Sequence, residues 1–166
     1  MDNFSKYIDE FTSDMNSENR ILIIRFFLYF SRFEYAMKSS SYGELKWNPC
    51  YYDAAWSRLD KELQKNSYFK KSSKAIGQTL LFDPPRKMIN QNEFENWLIK
   101  RSVIQWTKVV RNNLFHWGKF HWSPMESDRN INLIKESLAI LKLIIEDADM
   151  QFQDCDSLRA HFNEYI

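Results

Sequence analysis

Residues that interrupt helices are scarce in this chain of 166 residues. It contains three glycines and four prolines. Both types break regular structure, because glycine is conformationally free and proline lacks a backbone donor. A fold of many short strands joined by tight turns needs more of them. The scarcity argues against such a β architecture and favours long helices.

Cysteine is equally rare, since Cys50 and Cys155 are the only two. Two cysteines form neither a disulfide framework nor a zinc site. We expect each to be a small, partly buried side chain in a reducing compartment. The first residues, Met1 to Phe4, carry no basic stretch and no cleavage site, so we expect no signal peptide. These features predict a cytoplasmic protein without metal or cofactor.

Long hydrophobic runs are also missing. The most apolar run, Ile21 to Phe30, is too short to cross a bilayer, and Arg25 and Arg32 interrupt the apolar pattern. We therefore expect a soluble protein with no membrane partner. Apolar residues still make up 44% of the chain, which is enough for a core and argues against disorder. The length predicts a single domain spanning residues 1–166.

The net charge of +1 conceals a local asymmetry. Five basic residues and no acidic one lie between Asn96 and Met125, whereas acids outnumber bases from Glu126 to Ile166. A basic stripe on a nearly neutral protein suits a confined anionic ligand better than broad coating of nucleic acid. The alternative is an ordinary solvated helix face.

Apolar residues repeat at helical spacing along most of the chain. The pattern predicts an all-α fold, an antiparallel bundle of four to five helices. The region from Lys70 to Leu81 stays open. The predicted helices are a short one over Asn3–Phe11, a long one from Asn16 or Ser17 to about Lys38, one opened by Trp47-Asn48-Pro49 and closed at Asn66, one from Asn90 or Asn92 to about Gly118, one from Ser127 or Asp128 through Ile145, and a short terminal one within Phe152–Tyr165.

The most informative stretch is the decapeptide from Arg111 to Phe120. Arg111 and His116 stand five positions apart, and Asn112 directly follows the arginine. Histidine titrates near neutrality and serves as base or acid, while arginine stays charged and donates two hydrogen bonds to phosphate. These residue types suit acid–base chemistry at a phosphate group.

This stretch resembles the signature of HEPN domains, in which an arginine, a polar residue and a histidine lie near the end of a core helix. The segment from Arg32 to Lys38 resembles the first long helix of several stand-alone HEPN families, and the order of elements from Asn19 to Met150 is similar. The resemblance implies an HEPN-like bundle. HEPN domains that keep the motif are commonly metal-independent endoribonucleases of toxin–antitoxin, phage-defence and RNA-guided systems.

The resemblance also implies roles for particular residues. Arg111 and His116 would form the catalytic pair, with Asn112 in support. It further implies a homodimer, in which two motifs meet at a two-fold interface, and RNA (tRNA or mRNA) as substrate. An antitoxin or another defence-system protein would be the regulatory partner.

Neighbouring residues extend this hypothesis. Lys119, His121 and Lys108 are candidates for contacting RNA, and Glu34 for orienting the Arg111 guanidinium. The alternatives are solvated lysines, a loop histidine and a structural Arg111–Glu34 pair. Aromatic residues near the motif favour core or dimer-interface positions over base stacking, and they are Trp106, Trp117, Phe120 and Trp122.

One geometric difficulty and one departure accompany the motif. Five residues turn an ideal helix by about 140° beyond one full turn, so Arg111 and His116 do not share a face. A distorted helix end, a wrapped arginine or a second chain would resolve this. Gly118 stands where some HEPN toxins carry a tyrosine modified by a nucleotidyltransferase, so that regulation is not expected here.

Two other functions stay open. One is a non-catalytic helical module that binds a protein partner or a nucleotide. The other is a nucleic-acid-binding regulator, which the near-neutral isoelectric point of 7.7 disfavours.

Overall fold

The computed structural model describes residues 16–45, 52–83, 102–115 and 128–164. This part of the chain is mostly helical, which agrees with the predicted all-α class. None of its helices combines the length and the apolar character needed to cross a membrane. The elements in chain order are α1 (Ser17–Ser39), β1 (Gly43–Leu45), β2 (Tyr52–Ala54), α2 (Trp56–Lys65), α3 (Ser67–Ile76), α4 (Gln78–Phe82), α5 (Val103–Phe115), α6 (Asp128–Glu146) and α7 (Cys155–Asn163).

Helix α1 begins and ends where local chemistry predicts. The side chain of Asn16 accepts a hydrogen bond from the backbone of Asn19 at 2.8 Å, which satisfies one of the unpaired donors at the helix start. Lys38 lies in the last turn, where its positive charge interacts favourably with the helix dipole. The predicted span, from Asn16 or Ser17 to about Lys38, is confirmed. Its buried face consists of Ile23, Phe26, Phe30, Phe33, Ala36 and Met37.

The structure corrects the start of the second predicted helix. Tyr52–Ala54 is not helical but forms β2, antiparallel to β1, with Leu45 opposite Tyr52. The Asp53 side chain accepts a hydrogen bond from the Ala54 N–H at 2.8 Å, a local contact that competes with helix formation. Helix α2 therefore begins at Trp56. The proposed opening, Trp47-Asn48-Pro49, lies outside the described residues.

Gly43 follows α1 for a steric reason. A Cβ atom at this position would collide with the backbone oxygen of Lys38. The chain thus passes close to the end of α1 before it enters β1, and only glycine permits that approach.

Asn66 joins two helices. It follows the last residue of α2, and its side-chain oxygen accepts from the Phe69 N–H at 2.8 Å at the start of α3. Its side-chain nitrogen donates to the backbone oxygen of Gln151. The region from Lys70 to Leu81, whose structure the sequence left open, belongs to α3 and α4, and these two helices meet at Gly77.

The longer carboxyl-terminal helices complete the core. Helix α6 packs against α1 and α5, and α7 packs against α1. Helix α6 begins at Asp128, as predicted, and α7 falls within the predicted terminal helix. The predicted helix Asn3–Phe11, residues 90–101 and residues 116–118 lie outside the described ranges. Fully buried residues at the centre include Phe26, Phe30, Phe33, Trp106, Ile134 and Leu141.

The short helix α4 depends on a distant carboxylate. Glu136 of α6 accepts hydrogen bonds from the Thr79 N–H at 2.8 Å, the Thr79 hydroxyl at 2.7 Å and the Leu80 N–H at 2.8 Å. A helix of five residues is not stable by itself, because its first turn is unfavourable to form. Glu136 therefore fixes both the start and the position of α4.

Replacing Glu136 with alanine should destabilise the fold by about 2–3 kcal/mol, because three donors lose a charged acceptor. Urea unfolding followed by circular dichroism measures this as a lower midpoint with an unchanged slope. Lys135→Ala is the matched control, since Lys135 is exposed on the same helix. Equal midpoints for the two variants would show that Glu136 does not hold α4.

Candidate functional site

The Arg111 guanidinium contacts three groups near the end of α5. Its Nη2 atom lies 3.5 Å from Oε2 of Glu34 on α1. Its Nη1 atom donates to the side-chain oxygen of Asn112 at 3.0 Å. Its Cζ atom lies 5.5 Å from the centre of the Phe30 ring. The Arg111–Glu34 ion pair considered from the sequence is present.

These contacts hold the guanidinium in one orientation. The face of Phe30 attracts the cation, and the Glu34 carboxylate and the Asn112 amide restrict rotation of the guanidinium plane. The Arg111 side chain is 31% exposed and that of Glu34 is 18% exposed, so the pair is only partly shielded from water. Such an arrangement serves either to present a fixed cation to a phosphate or to attach α5 to α1.

Lys108 lies one turn before Arg111 on the same helix. Its Nζ atom is 6.0 Å from the centre of the Trp56 ring. That ring stacks on Phe30, with centroids 5.2 Å apart and an angle of 20° between the planes. Two cations of α5 therefore lie over two aromatic rings that are themselves in contact.

Gln105 continues this side of α5 toward the helix start. Its side-chain nitrogen donates to Oδ2 of Asp60 on α2 at 2.7 Å. We call Gln105, Lys108, Arg111 and Asn112 the polar stripe of α5. The spacing of three to four residues puts them on one face, about 10 Å long. The buried residues of the helix face the core, and they are Val103, Ile104, Trp106, Thr107, Val109 and Val110.

The predicted site residues divide into two groups. The Arg111 guanidinium contacts both Glu34 and Asn112, and Lys108 belongs to the same stripe as Arg111. His116, Lys119 and His121 lie outside the described residues, so their roles stay predictions. The last described residue of α5, Phe115, directly precedes His116.

Trp106 is the one described member of the aromatic group near the motif. It is 1% exposed and belongs to the core, in agreement with the favoured interpretation. It is therefore inaccessible for stacking on a base. Trp117, Phe120 and Trp122 lie outside the described residues.

Sequence reasoning did not identify Phe30, Trp56 or Asp60 as neighbours of the motif. One signal was available within α5, where polar residues recur at positions 105, 108 and 112 of an otherwise apolar helix. Their partners lie on α1 and α2, and no local pattern predicts which residues of distant helices meet. The aromatic layer beneath the cations follows only from the packing.

Within the described ranges, no group of three or more histidine, cysteine, aspartate or glutamate residues is placed to hold a metal ion. Cys155 is buried, and its Sγ atom lies 3.3 Å from the Met150 carbonyl oxygen. Burial raises the pKa of the Cys155 thiol. This cysteine therefore stays protonated at neutral pH and is a poor nucleophile.

No protein-family model, curated protein or solved structure matches this chain.

The Arg111–Glu34 pair is open to a direct energetic test. A double-mutant cycle with Arg111→Ala and Glu34→Ala should give a coupling energy of about 1 kcal/mol, since the pair is partly buried and a phenyl ring supports the cation. Urea unfolding of the four proteins measures it. Glu18→Ala in the same cycle should give no coupling, because Glu18 lies in the first turn of α1. Absence of coupling at Glu34 would contradict the proposed restraint on Arg111.

Proposed function

We propose that this protein is a metal-independent endoribonuclease of the HEPN type, in which Arg111 and His116 cleave RNA with support from Asn112. The observation that carries the proposal is the fixed guanidinium of Arg111. Glu34, Asn112 and Phe30 hold it, and it belongs to the Arg-Asn-x3-His sequence that resembles the HEPN motif.

The chemistry uses the nucleophile that RNA provides. A base removes the proton of the 2′-hydroxyl, whose oxygen attacks the adjacent phosphorus. The bond from phosphorus to the 5′-oxygen breaks, and an acid protonates that oxygen as it leaves. The products carry a 2′,3′-cyclic phosphate and a 5′-hydroxyl. His116 supplies the acid–base function, which is worth about 10²- to 10⁴-fold in rate.

Arg111 stabilises the charge that develops on the phosphate oxygens. A preorganised donor in such a position contributes about 2.7–4 kcal/mol to transition-state stabilisation. The restraint from Glu34 and Asn112 matters here, because a donor already in place avoids reorganisation during the reaction. Lys108, one turn away, adds positive charge along the path of the RNA backbone.

A homodimer completes the proposed site. Cleavage needs a base and an acid, whereas each motif contains one histidine. Two copies related by a two-fold axis would provide two His116 side chains, and they would also remove the difficulty that Arg111 and His116 do not share a helix face. A toxin or anti-phage enzyme of the cytoplasm would act in this form on tRNA or mRNA, restrained by an antitoxin or another defence protein.

Cleavage of total RNA in EDTA tests the reaction. Wild type should cleave, whereas Arg111→Ala and His116→Ala should each lose at least about 100-fold in rate, because each removes a group used in the transition state. Denaturing gels measure the loss, and treatment of the products with phosphatase and acid identifies the cyclic phosphate ends.

Matched controls separate chemistry from folding. His161→Ala and Arg129→Ala remove the same residue types from sites where they pair with Glu164 and Asp83, and both should cleave as wild type does. Cleavage by His116→Ala at the wild-type rate, or failure of purified wild type to cleave any RNA, would contradict the proposal.

Dilution tests the dimer separately. The specific activity of wild type should fall at concentrations where analytical ultracentrifugation shows monomers, because half of the site is then missing. A monomer with full specific activity would rule out the shared site and leave a single-chain mechanism.

A non-catalytic interaction module is the second candidate. One observation favours it: the contacts of Arg111 with Glu34 and Phe30 also attach α5 to α1, which gives the arginine a structural use. On this alternative, Arg111→Ala lowers the stability of the protein while wild type shows no cleavage of RNA.

A further inference from the structure

Six cationic side chains cover the outward faces of two consecutive helices. On α2, Arg58, Lys61 and Lys65 are three and four residues apart, so they share one face. On α3, Lys74 follows Lys71 by three residues and Lys70 by four, so these three also share a face. All six are exposed. The opposite faces are buried, through Leu59 and Leu63 on α2 and Phe69 on α3. We call this set the basic surface: Arg58, Lys61, Lys65, Lys70, Lys71 and Lys74.

Acidic residues neutralise only part of this surface. From Leu63 to Phe82 the sequence holds four lysines and neither aspartate nor glutamate. On α2, Glu62 pairs with Lys65 at 2.6 Å and Asp60 bonds to Gln105 at 2.7 Å. Among ion pairs formed by described residues, none includes Lys61, Lys70, Lys71 or Lys74.

Helix α6, by contrast, balances its charges through ion pairs. On α6, Lys142 lies 3.9 Å from Glu146, and Arg129 lies 2.5 Å from Asp83. The excess of positive charge on α2 and α3 therefore does not extend to α6. Lysines four residues apart on a helix, such as Lys70 and Lys74, repel each other and destabilise it by a few tenths of a kcal/mol. An anionic ligand would remove this penalty.

The outward residues indicate the chemistry of the ligand. Between the cations stand small or polar residues, Ser57, Gln64, Ser67 and Ala75, so this face offers little apolar surface for insertion into a membrane or a protein groove. The larger Tyr68 lies at its edge, and its hydroxyl donates to Asp147 at 2.8 Å. Flexible lysines act as point charges that suit phosphate groups, which position a nucleic acid without reading its sequence.

Helix α2 joins the basic surface to the polar stripe of α5. Its Asp60 accepts from Gln105 and its Trp56 ring lies under Lys108. Helix α2 thus carries part of the basic surface and also contacts two residues of the polar stripe. We propose that the basic surface binds the phosphate backbone of single-stranded RNA. The choice of RNA as ligand rests on the proposed function, whereas binding at this surface does not require cleavage at Arg111.

A strand that cannot be cleaved tests this inference. Fluorescence anisotropy would follow binding of a fluorescein-labelled single-stranded oligonucleotide with 2′-O-methyl riboses, which lack the nucleophile. Lys70→Gln/Lys74→Gln in the full chain should raise Kd about tenfold at ~0.1 M salt. The slope of log K against log salt should fall by about 1.4, since each phosphate contact contributes about 0.7 for single strands.

The double variant Lys135→Gln/Lys142→Gln is the matched control. It removes the same charge from exposed positions of α6, and its Kd should stay within about twofold of wild type. Equal weakening by both variants would overturn the inference, because net charge alone would then explain binding. Wild type that fails to bind the oligonucleotide, or that binds a polyglutamate peptide as tightly, would overturn it as well. Urea unfolding confirms that both variants are folded.

Discussion

The stack of Trp56 on Phe30 and Phe33 is the contact on which the candidate site depends. The Trp56 ring centre lies 5.2 Å from that of Phe30 and 5.6 Å from that of Phe33. Such pairs contribute about 0.5–1.5 kcal/mol each beyond their buried area, and here they fix the first residue of α2 against the middle of α1. Arg111 lies over the Phe30 ring and Lys108 over the Trp56 ring. The stack therefore also supports both cations at the surface of the core.

Two kinds of positive charge meet at α2. The polar stripe of α5 is half-buried, and its cations rest on aromatic rings. Lysines of the basic surface are exposed and retain the freedom of long side chains. On the proposed functions these differences correspond to two tasks, since stabilising a transition state needs a fixed donor and holding a flexible strand needs adaptable ones. The asymmetry of charge noted in the sequence around Arg111 captures only the first of these.

The sequence predicted those helix ends that depend on neighbouring residues. The cap at Asn16, the end of α1 before Gly43, the end of α2 at Asn66 and the start of α6 at Asp128 follow from residues within a few positions. Strand β2 did not, because Tyr52 to Leu63 repeats at helical spacing and the hydrogen bonds that select the strand come from β1. Helix α4 depends on Glu136, which lies 57 residues beyond Thr79. Likewise, the Arg111–Glu34 pair was one of two open interpretations of the sequence. The contact of Arg111 with the Phe30 ring could not be predicted, because it depends on how α5 packs against α1.

The packing of α7 against α1 brings together residues made at very different times. Arg32 donates from Nε to the backbone oxygen of Phe162, 130 positions further along the chain, and the ring of Phe162 lies 4.7 Å from that of Tyr29. At about 5–20 residues per second, roughly 6–26 s separate the synthesis of the two contacts. Throughout that interval α1 lacks its carboxyl-terminal partner on the ribosome. Helix α1, which also carries Glu34 and Phe30, is thus fully packed only after α7 has been translated.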